Sequence, residues 1–149
     1  MTHGMHGAAV LLAVAGGAAL AIQNVIMAAV VGRGIGFTGT LIINSAVGLV
    51  VLAAIETIRS GPGFAAEIVA QAKPWFVVPG LLGTFFVFTG VFGYRHLGAA
   101  RTIVLIVAAQ LALGIALDAL SLTGGARQIE IQTLLGAALL VAGAWLVVR

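Results

Sequence analysis

One carboxylate lies inside a long apolar stretch of this sequence, QLALGIALDAL at residues 110–120, where it is contributed by Asp118. Gln110 and Gly114 precede it at steps of four, so the three positions share one face of a helix. An apolar environment favours the protonated carboxyl, whereas a nearby cation favours the carboxylate. A side chain that holds either a proton or a cation, but not both, is sufficient for exchange transport.

Asp118 also has a structural interpretation. About four residues separate it from the predicted end of its span at residue 122, which is roughly 6 Å along a helix, and Asp is too short to reach water comfortably over that distance. Hydrogen bonds from Ser121, Thr123 and the amides of the following turn could nevertheless satisfy an interfacial carboxylate. Both interpretations stay open on the residues alone.

Three amide side chains lie within apolar stretches nearer the N-terminus, namely Gln23, Asn24 and Asn44. A polar side chain within a membrane needs a partner or a water-filled cavity, and these three together with Gln110 could line a common interior. The alternative is interhelical hydrogen bonding, worth about 0.6 kcal/mol on average. For Gln23 and Asn44 taken singly, this structural role is the preferred interpretation.

Glu56 is the second acidic candidate. It follows Asn44, Gly48 and Leu52 at steps of four, which places it on a slowly drifting row along one helix. It also lies within one turn of the predicted helix end, beside Arg59. An ion pair at i,i+3 spacing is therefore the preferred interpretation, and a proton-binding role is the alternative.

The composition identifies the elements that must position these residues. The sequence is 62% hydrophobic and 7% charged, against roughly 45–50% and 25% for soluble domains. Strands with open edges cannot be satisfied in lipid, so we predict an all-α membrane protein, a single transmembrane domain over residues 1–149. The predicted spans are 8–31, 37–58, 75–94, 102–122 and 131–148. The breaks between them are 32–36, 59–63, 95–101 and 123–128.

Several features indicate where the chain meets the membrane interface. Residues 64–72, FAAEIVAQA, place apolar and polar side chains on different sides of a helix, which predicts a short interfacial connector. Trp75, Tyr94 and Trp145 lie near span ends, as interfacial anchors do.

The basic residues show almost no bias between the two sides of the membrane. Five spans would place Arg59, Lys73 and Arg127 on one side. They would place Arg33, Arg95, Arg101 and Arg149 on the other. Because excess Lys and Arg in short loops sets orientation, a three-to-four count permits insertion in both directions. The same chain could then meet a second copy antiparallel.

Two spans carry small residues at helical spacing. The third has Gly80, Gly83 and Gly90 on one face. Its other face has Phe85, Phe88 and Phe92. We expect close helix approach at the glycines and lipid contact at the aromatics, with an aromatic wall of a substrate cavity as the less favoured alternative. In the last span Gly136 and Gly143 predict a helix-pairing surface, which a second subunit could use.

The sequence gives little support for nucleic-acid binding, dinucleotide binding, metal binding or catalysis. The net charge of +3 is scattered, which does not indicate a nucleic-acid surface. GIGFTG at 34–39 matches a dinucleotide fingerprint but lies between two spans, so we predict a tight turn. His3 and His6 lack further metal ligands and are expected in a disordered terminus. No nucleophile has a base beside it, so we predict no enzyme, no metal and no cofactor.

The order and spacing of several short motifs in this sequence resemble those of a known family. The pattern is QN at 23–24, N-S-x-x-G at 44–48, P-W at 74–75, G-x-x-G at 80–83, L-G-A-A at 97–100, Q-x-x-x-G-x-x-x-D at 110–118 and G-x-x-x-x-x-x-G at 136–143. It looks like the YdcZ family of bacterial inner-membrane proteins, over essentially the whole chain.

That resemblance implies membership of the drug/metabolite transporter superfamily, whose larger members contain two inverted five-helix repeats. Five helices would then be one repeat, and two antiparallel copies would rebuild a ten-helix transporter. Small multidrug-resistance exporters of that superfamily use a glutamate in the first helix, where this chain has Gln23 and Asn24. Any proton-coupling carboxylate here must therefore be Asp118 or Glu56.

The sequence thus predicts a small secondary transporter of the bacterial inner membrane, an exporter of a small metabolite or drug-like compound that works by alternating access. Its expected partners are membrane lipid, a small-molecule substrate and a second copy of the chain. The alternatives are a small dual-topology ion channel and a non-transporting partner subunit of another membrane protein.

Overall fold

The computed structural model describes the backbone of residues 2–120 and 130–149, and the side chains of those residues from Gly7 onward. Every regular element in these ranges is helical, which confirms the all-α class. The α-helices are α1 (Thr2–Val30), α2 (Gly36–Ser60), α3 (Phe64–Gln71), α4 (Val77–His96), α5 (Ala99–Ala119) and α6 (Ile131–Val148). All except α3 belong to stretches long and apolar enough to cross a membrane.

The chain divides into two compact units. The first, here called the central unit, is Ile22–Phe92. The second, here called the terminal unit, combines Met1–Ala21 with Gly93–Arg149.

In the central unit, α1 and α2 are joined by the π-helical turn Val31–Ile35. Gly34 has φ 100° and Gly36 has φ 76°, a region of backbone conformation that glycine adopts without steric cost. Residues 23 and 44 would be about 31 Å apart on a straight helix, yet their side chains are hydrogen-bonded at 3.0 Å. The chain therefore reverses here, and the predicted turn at GIGFTG is confirmed.

The core of the central unit is small and draws on α1, the turn after it, and α4. Met27, Val31 and Val91 are buried. The partly buried residues packed around them are Ala28, Phe37, Leu41 and Val87. Burial of this cluster holds the N-terminal part of α2 and the C-terminal part of α4 against α1.

The aromatic face of α4 has two roles. The Phe37 ring centroid lies 5.7 Å from that of Phe88 and 5.9 Å from that of Phe92, so α2 covers part of this face. Phe85 remains 65% exposed. Phe88 and Phe92 are 38% and 45% exposed, so all three rings keep open surface, as expected for a face that contacts lipid, although Phe88 and Phe92 also pack in part against Phe37.

The connection from α2 to α4 follows the predicted order. Gly61, at φ 82°, ends α2, and the predicted connector at 64–72 is confirmed as the short helix α3. A 3₁₀ turn, Pro74–Phe76, precedes α4, and the Trp75 ring packs edge-on against Phe76 at 4.3 Å between centroids.

In the terminal unit, α5 packs along α6 and Ala144 is buried. Gly98, at φ 85°, is the N-cap of α5, which begins at Ala99. Both ends of α5 lie three residues earlier than those of the predicted span 102–122. The bounds of α6 coincide with the span 131–148. The predicted break at 123–128 lies outside the described residues.

The N-terminus differs from expectation. α1 begins at Thr2, so the backbone around His3 and His6 is helical, and the expectation of a disordered terminus is wrong. The side chains of both histidines lie outside the described part of the structure.

Candidate functional site

An interhelical amide pair lies within the apolar part of the central unit. The Nε2 of Gln23 donates a hydrogen bond to the Oδ1 of Asn44 at 3.0 Å and also contacts the sulfur of Met27 at 3.7 Å. The reversal at Val31–Ile35 makes this pairing possible, because it brings α2 back along α1. The bond uses neither the Oε1 of Gln23 nor the Nδ2 of Asn44.

Asn24 is adjacent in sequence and is more deeply buried, with 4% of its surface exposed. Its Oδ1 has no hydrogen-bond partner and is the one such buried side-chain atom among the described residues. Gly90 on α4 lies directly against this amide, since a Cβ built there would be 3.0 Å from both Nδ2 and Oδ1. A buried acceptor without a donor is costly, so it marks a place where a donor is missing.

Gln23, Asn24 and Asn44 are here called the amide cluster. Gln23 lies seven residues before the end of α1, and Asn44 lies eight residues after the start of α2. These separations correspond to about 10 Å and 12 Å along the helices. The cluster offers neutral donors and acceptors and no ionisable group, which suits the recognition of hydroxyl, amide or amine groups.

Gly48, Leu52 and Glu56, which follow Asn44 at steps of four, do not extend the amide cluster. A Cβ on Gly48 would meet no atom within 4 Å, and Leu52 is 67% exposed. Glu56 pairs with Arg59 at 3.9 Å and accepts a hydrogen bond from the Ser60 hydroxyl at 2.5 Å. The predicted i,i+3 ion pair is thus confirmed.

Gln110 and Asp118 belong to the terminal unit. α5 ends at Ala119, which places Asp118 in the last helical turn, nearer the helix end than the sequence predicted. Asp118 is half-buried and Gln110 is exposed. Gln110 lies about 160° around the helix from Ala108, which faces α6. Ser121 and Thr123, the predicted partners of Asp118, lie outside the described residues.

Comparison with known proteins agrees with this architecture. The family model described as "Putative inner membrane exporter, YdcZ" matches residues 8–146. The chain is 38% identical over 136 residues to the inner membrane protein YdcZ of Escherichia coli strain K12, covering 91% of each chain. This chain belongs to the YdcZ family. No solved structure matches it.

Family membership and the long apolar helices together make this YdcZ chain a multi-pass inner-membrane protein. The family description places it, at a coarse level, among the membrane transporters. Among the described side chains, no group of three His, Asp or Glu residues could hold a metal ion.

The predicted packing surface of α6 is open within this YdcZ chain. A Cβ on Gly136 or Gly143 would meet no atom within 4 Å. Gly143 lies about 160° around α6 from Val141, which faces α5. The glycine face therefore points away from the intramolecular helix contact.

Sequence reasoning missed two members of the site. Gly90 was identified only as part of a small-residue stripe, and its contact with Asn24 depends on the approach of α1 and α4. The sulfur of Met27 had no signal at all, because Met in an apolar stretch is ordinarily a packing residue.

Proposed function

We propose that this chain is a secondary transporter that exports a small metabolite or drug-like compound across the bacterial inner membrane by alternating access, with the amide cluster as its substrate-binding group. The observation that carries the proposal is the unpartnered Oδ1 of Asn24, buried beside Gly90 within the membrane-spanning helices. Family membership supports the transporter class.

Structural hydrogen bonding alone explains the amide cluster less well. If its side chains served only to hold helices together, each buried polar atom would be expected to have a partner. The Gln23–Asn44 bond meets that expectation, but the carbonyl of Asn24 does not. A substrate that carries an N–H or O–H donor would supply the missing hydrogen bond when the transporter adopts its binding state.

Proton coupling is assigned in this proposal to Asp118, and export proceeds as its protonation and substrate binding exclude each other. Ionisable residues in membrane helices are functional by default, and Asp118 lies within a helix long and apolar enough to cross a membrane. Gln110, about two helical turns before Asp118 on α5, is proposed to assist as a further polar group of the pathway. A neutral substrate held by amides without proton coupling is the close variant.

The working unit in this proposal is an antiparallel homodimer. Two five-helix chains of opposite orientation supply the inverted repeats on which many secondary transporters are built. The near-equal division of basic residues supports dual insertion, and the open face at Gly136 and Gly143 supports helix pairing.

The test measures both export and stability in the variant Asn24→Leu. Replacing an unsatisfied polar group by an apolar one of similar shape is expected to leave stability unchanged or raise it. Cells that express the chain are screened for raised resistance against a panel of toxic amines, amides and alcohols. The best compound is then followed in membrane vesicles, with Leu49→Phe on an exposed face of α2 as the matched control.

We expect Asn24→Leu to abolish export while the protein accumulates and unfolds as the parent does. Leu49→Phe should retain export. Export that persists in Asn24→Leu would show that the amide cluster does not bind the substrate. Asn24 would then be a packing residue.

A further inference from the structure

A groove lies between α5 and α6 in the terminal unit. It has a volume of about 650 Å³, within the range of roughly 300–1,000 Å³ typical of small-molecule sites. Its walls are apolar and mostly small. The lining side chains include Ala108, Ala112, Ile115, Ala138, Val141 and Trp145. It is open on one side, so it suits a long, narrow, apolar occupant that remains in contact with the bilayer.

The groove continues toward one end of the two helices, where the apolar walls meet positive charge. A second cavity of about 450 Å³ shares Ala108, Val141 and Trp145 with the first and extends to Arg149. The Arg149 guanidinium lies over the Trp145 ring at 4.4 Å from its centroid. The indole therefore fixes a cation at the mouth of the groove.

A second arginine reaches the same end. The Nε of Arg101, near the start of α5, donates a hydrogen bond to the carbonyl oxygen of Val147 at 3.3 Å. That bond uses one of the five N–H donors of the guanidinium. Arg101 and Arg149 were expected on the same side of the membrane from the sequence, and this contact places both at the C-terminal end of α6.

Acidic side chains of the terminal unit lie elsewhere among its described residues. Asp118 is at the far end of α5, and Glu130 precedes the start of α6. Arg95 and His96 end α4 shortly before α5 begins and add further basic residues to the arginine end. The groove thus runs from an apolar middle to a strongly basic mouth.

We propose that the α5–α6 groove is a binding site for an anionic phospholipid, whose acyl chain lies along the alanine-lined walls and whose phosphate is bound by Arg101 and Arg149. Basic pockets between transmembrane helices recognise lipid headgroups in this way, and arginine binds phosphate oxygens through paired N–H donors. Trp145 sits at the level where chain and headgroup meet, as interfacial indoles do.

A helix of a second copy is the competing occupant. The groove is the less suitable place for it, because the glycine face of α6 at Gly136 and Gly143 lies on the opposite side of the helix and is open. A helix in the groove would also bring its own apolar surface to two guanidinium groups. The basic mouth therefore favours lipid.

The two tryptophans make the site directly measurable. Trp75 lies in the central unit, so the variant Trp75→Phe leaves Trp145 as the reporter of the groove. The full-length protein is reconstituted in vesicles that contain either phosphatidylglycerol or phosphatidylcholine with dibrominated acyl chains, and quenching of Trp145 fluorescence is titrated with each lipid.

We expect phosphatidylglycerol to quench Trp145 at lower fractions than phosphatidylcholine. Each arginine should contribute about fivefold to that preference, and Arg101→Gln with Arg149→Gln should abolish it. Arg33→Gln removes an exposed charge in the α1–α2 turn and should leave the preference unchanged. Ala138→Phe fills the groove and should reduce quenching by both lipids, whereas Leu139→Phe on the adjacent outward position should not.

Equal quenching by the two lipids in the Trp75→Phe parent would overturn the proposal, since the groove would then hold lipid without selecting its charge. Weak quenching by both lipids would also overturn it, because Trp145 would be covered by protein, as a second copy in the groove requires. A preference for phosphatidylglycerol that survives loss of both arginines would place the phosphate site elsewhere.

Discussion

The side-chain amide of Gln23 on α1 donates a hydrogen bond of 3.0 Å to the side-chain carbonyl of Asn44 on α2, across 21 residues of chain. The bond links two helices that the turn Val31–Ile35 folds back on each other. Asn24 follows Gln23 directly in the sequence, and its amide lies against Gly90 on α4.

We predict a modest coupling free energy between Gln23 and Asn44. A double-mutant cycle of Gln23→Leu and Asn44→Leu, followed by unfolding in mixed micelles, should give about 0.6 kcal/mol and no more than about 1.7 kcal/mol. The value is small because the denatured helices also find partners in the membrane. Additive effects of the two substitutions would show that the bond contributes nothing to stability.

Gly90 should not tolerate a methyl group. In Gly90→Ala the new Cβ would lie 3.0 Å from the Asn24 amide, and overpacking of this kind costs about 1–3 kcal/mol. Gly83→Ala on the same helix is the matched control, since a Cβ there meets no atom within 4 Å. Thermal unfolding in detergent compares them, and Asn24→Ala should restore part of the stability lost in Gly90→Ala. A fully stable Gly90→Ala protein would contradict the close approach.

The contact between Gly93 and Thr102 in the terminal unit should be still less tolerant. A Cβ on Gly93 would lie 2.5 Å from the Thr102 methyl and 2.8 Å from its hydroxyl, and that hydroxyl is held by the carbonyl of Gly98 at 2.8 Å. We expect Gly93→Ala to lower the unfolding temperature more than Gly90→Ala. Gly114→Ala on α5, which has open space at the Cβ, should be at least as stable as the parent, because Ala favours the helix over Gly.

Asp118 is predicted to set the pH dependence of export. Asp118→Asn removes the titratable group, so export of a substrate found in the resistance screen should lose its response to an imposed pH gradient. Glu56→Gln is the control. It breaks only the exposed pair with Arg59, for which a stability change below about 1 kcal/mol is expected. A gradient response retained in Asp118→Asn and lost in Glu56→Gln would reverse the assignment.

Dual topology can be measured because the sequence contains no cysteine. A single Cys placed after Arg149 is labelled with an impermeant maleimide in intact cells and then in inverted vesicles. The near-equal charge distribution predicts substantial labelling from both sides. Labelling from one side alone would exclude the antiparallel homodimer and direct attention to a parallel dimer or an oppositely inserted partner.

Much of the architecture was accessible from sequence because it depends on local rules. The number of membrane-length helices, the glycine breaks at Gly34, Gly61 and Gly98, and the α3 connector all follow from apolar length and backbone freedom. The pairing of Glu56 with Arg59 follows from helical spacing.

The helix ends of α5 were less accessible, because a hydropathy pattern does not locate the last hydrogen-bonded turn. Because α5 ends three residues earlier than predicted, Asp118 lies in the final turn of the helix and not about one turn inside it. The exposed position of Gln110 was also not evident from a polar residue in an apolar run.

What the sequence by itself determined is which residues are polar within the membrane and how they repeat along each helix, since periodicity is a property of one helix. What only the tertiary structure decided is which of them meet. Gln23 pairs with Asn44, Asn24 is buried without a donor against Gly90, and Phe37 packs against Phe88 and Phe92. Such contacts depend on how closely two helices approach and around which face, and that is set by side chains distant in sequence acting together.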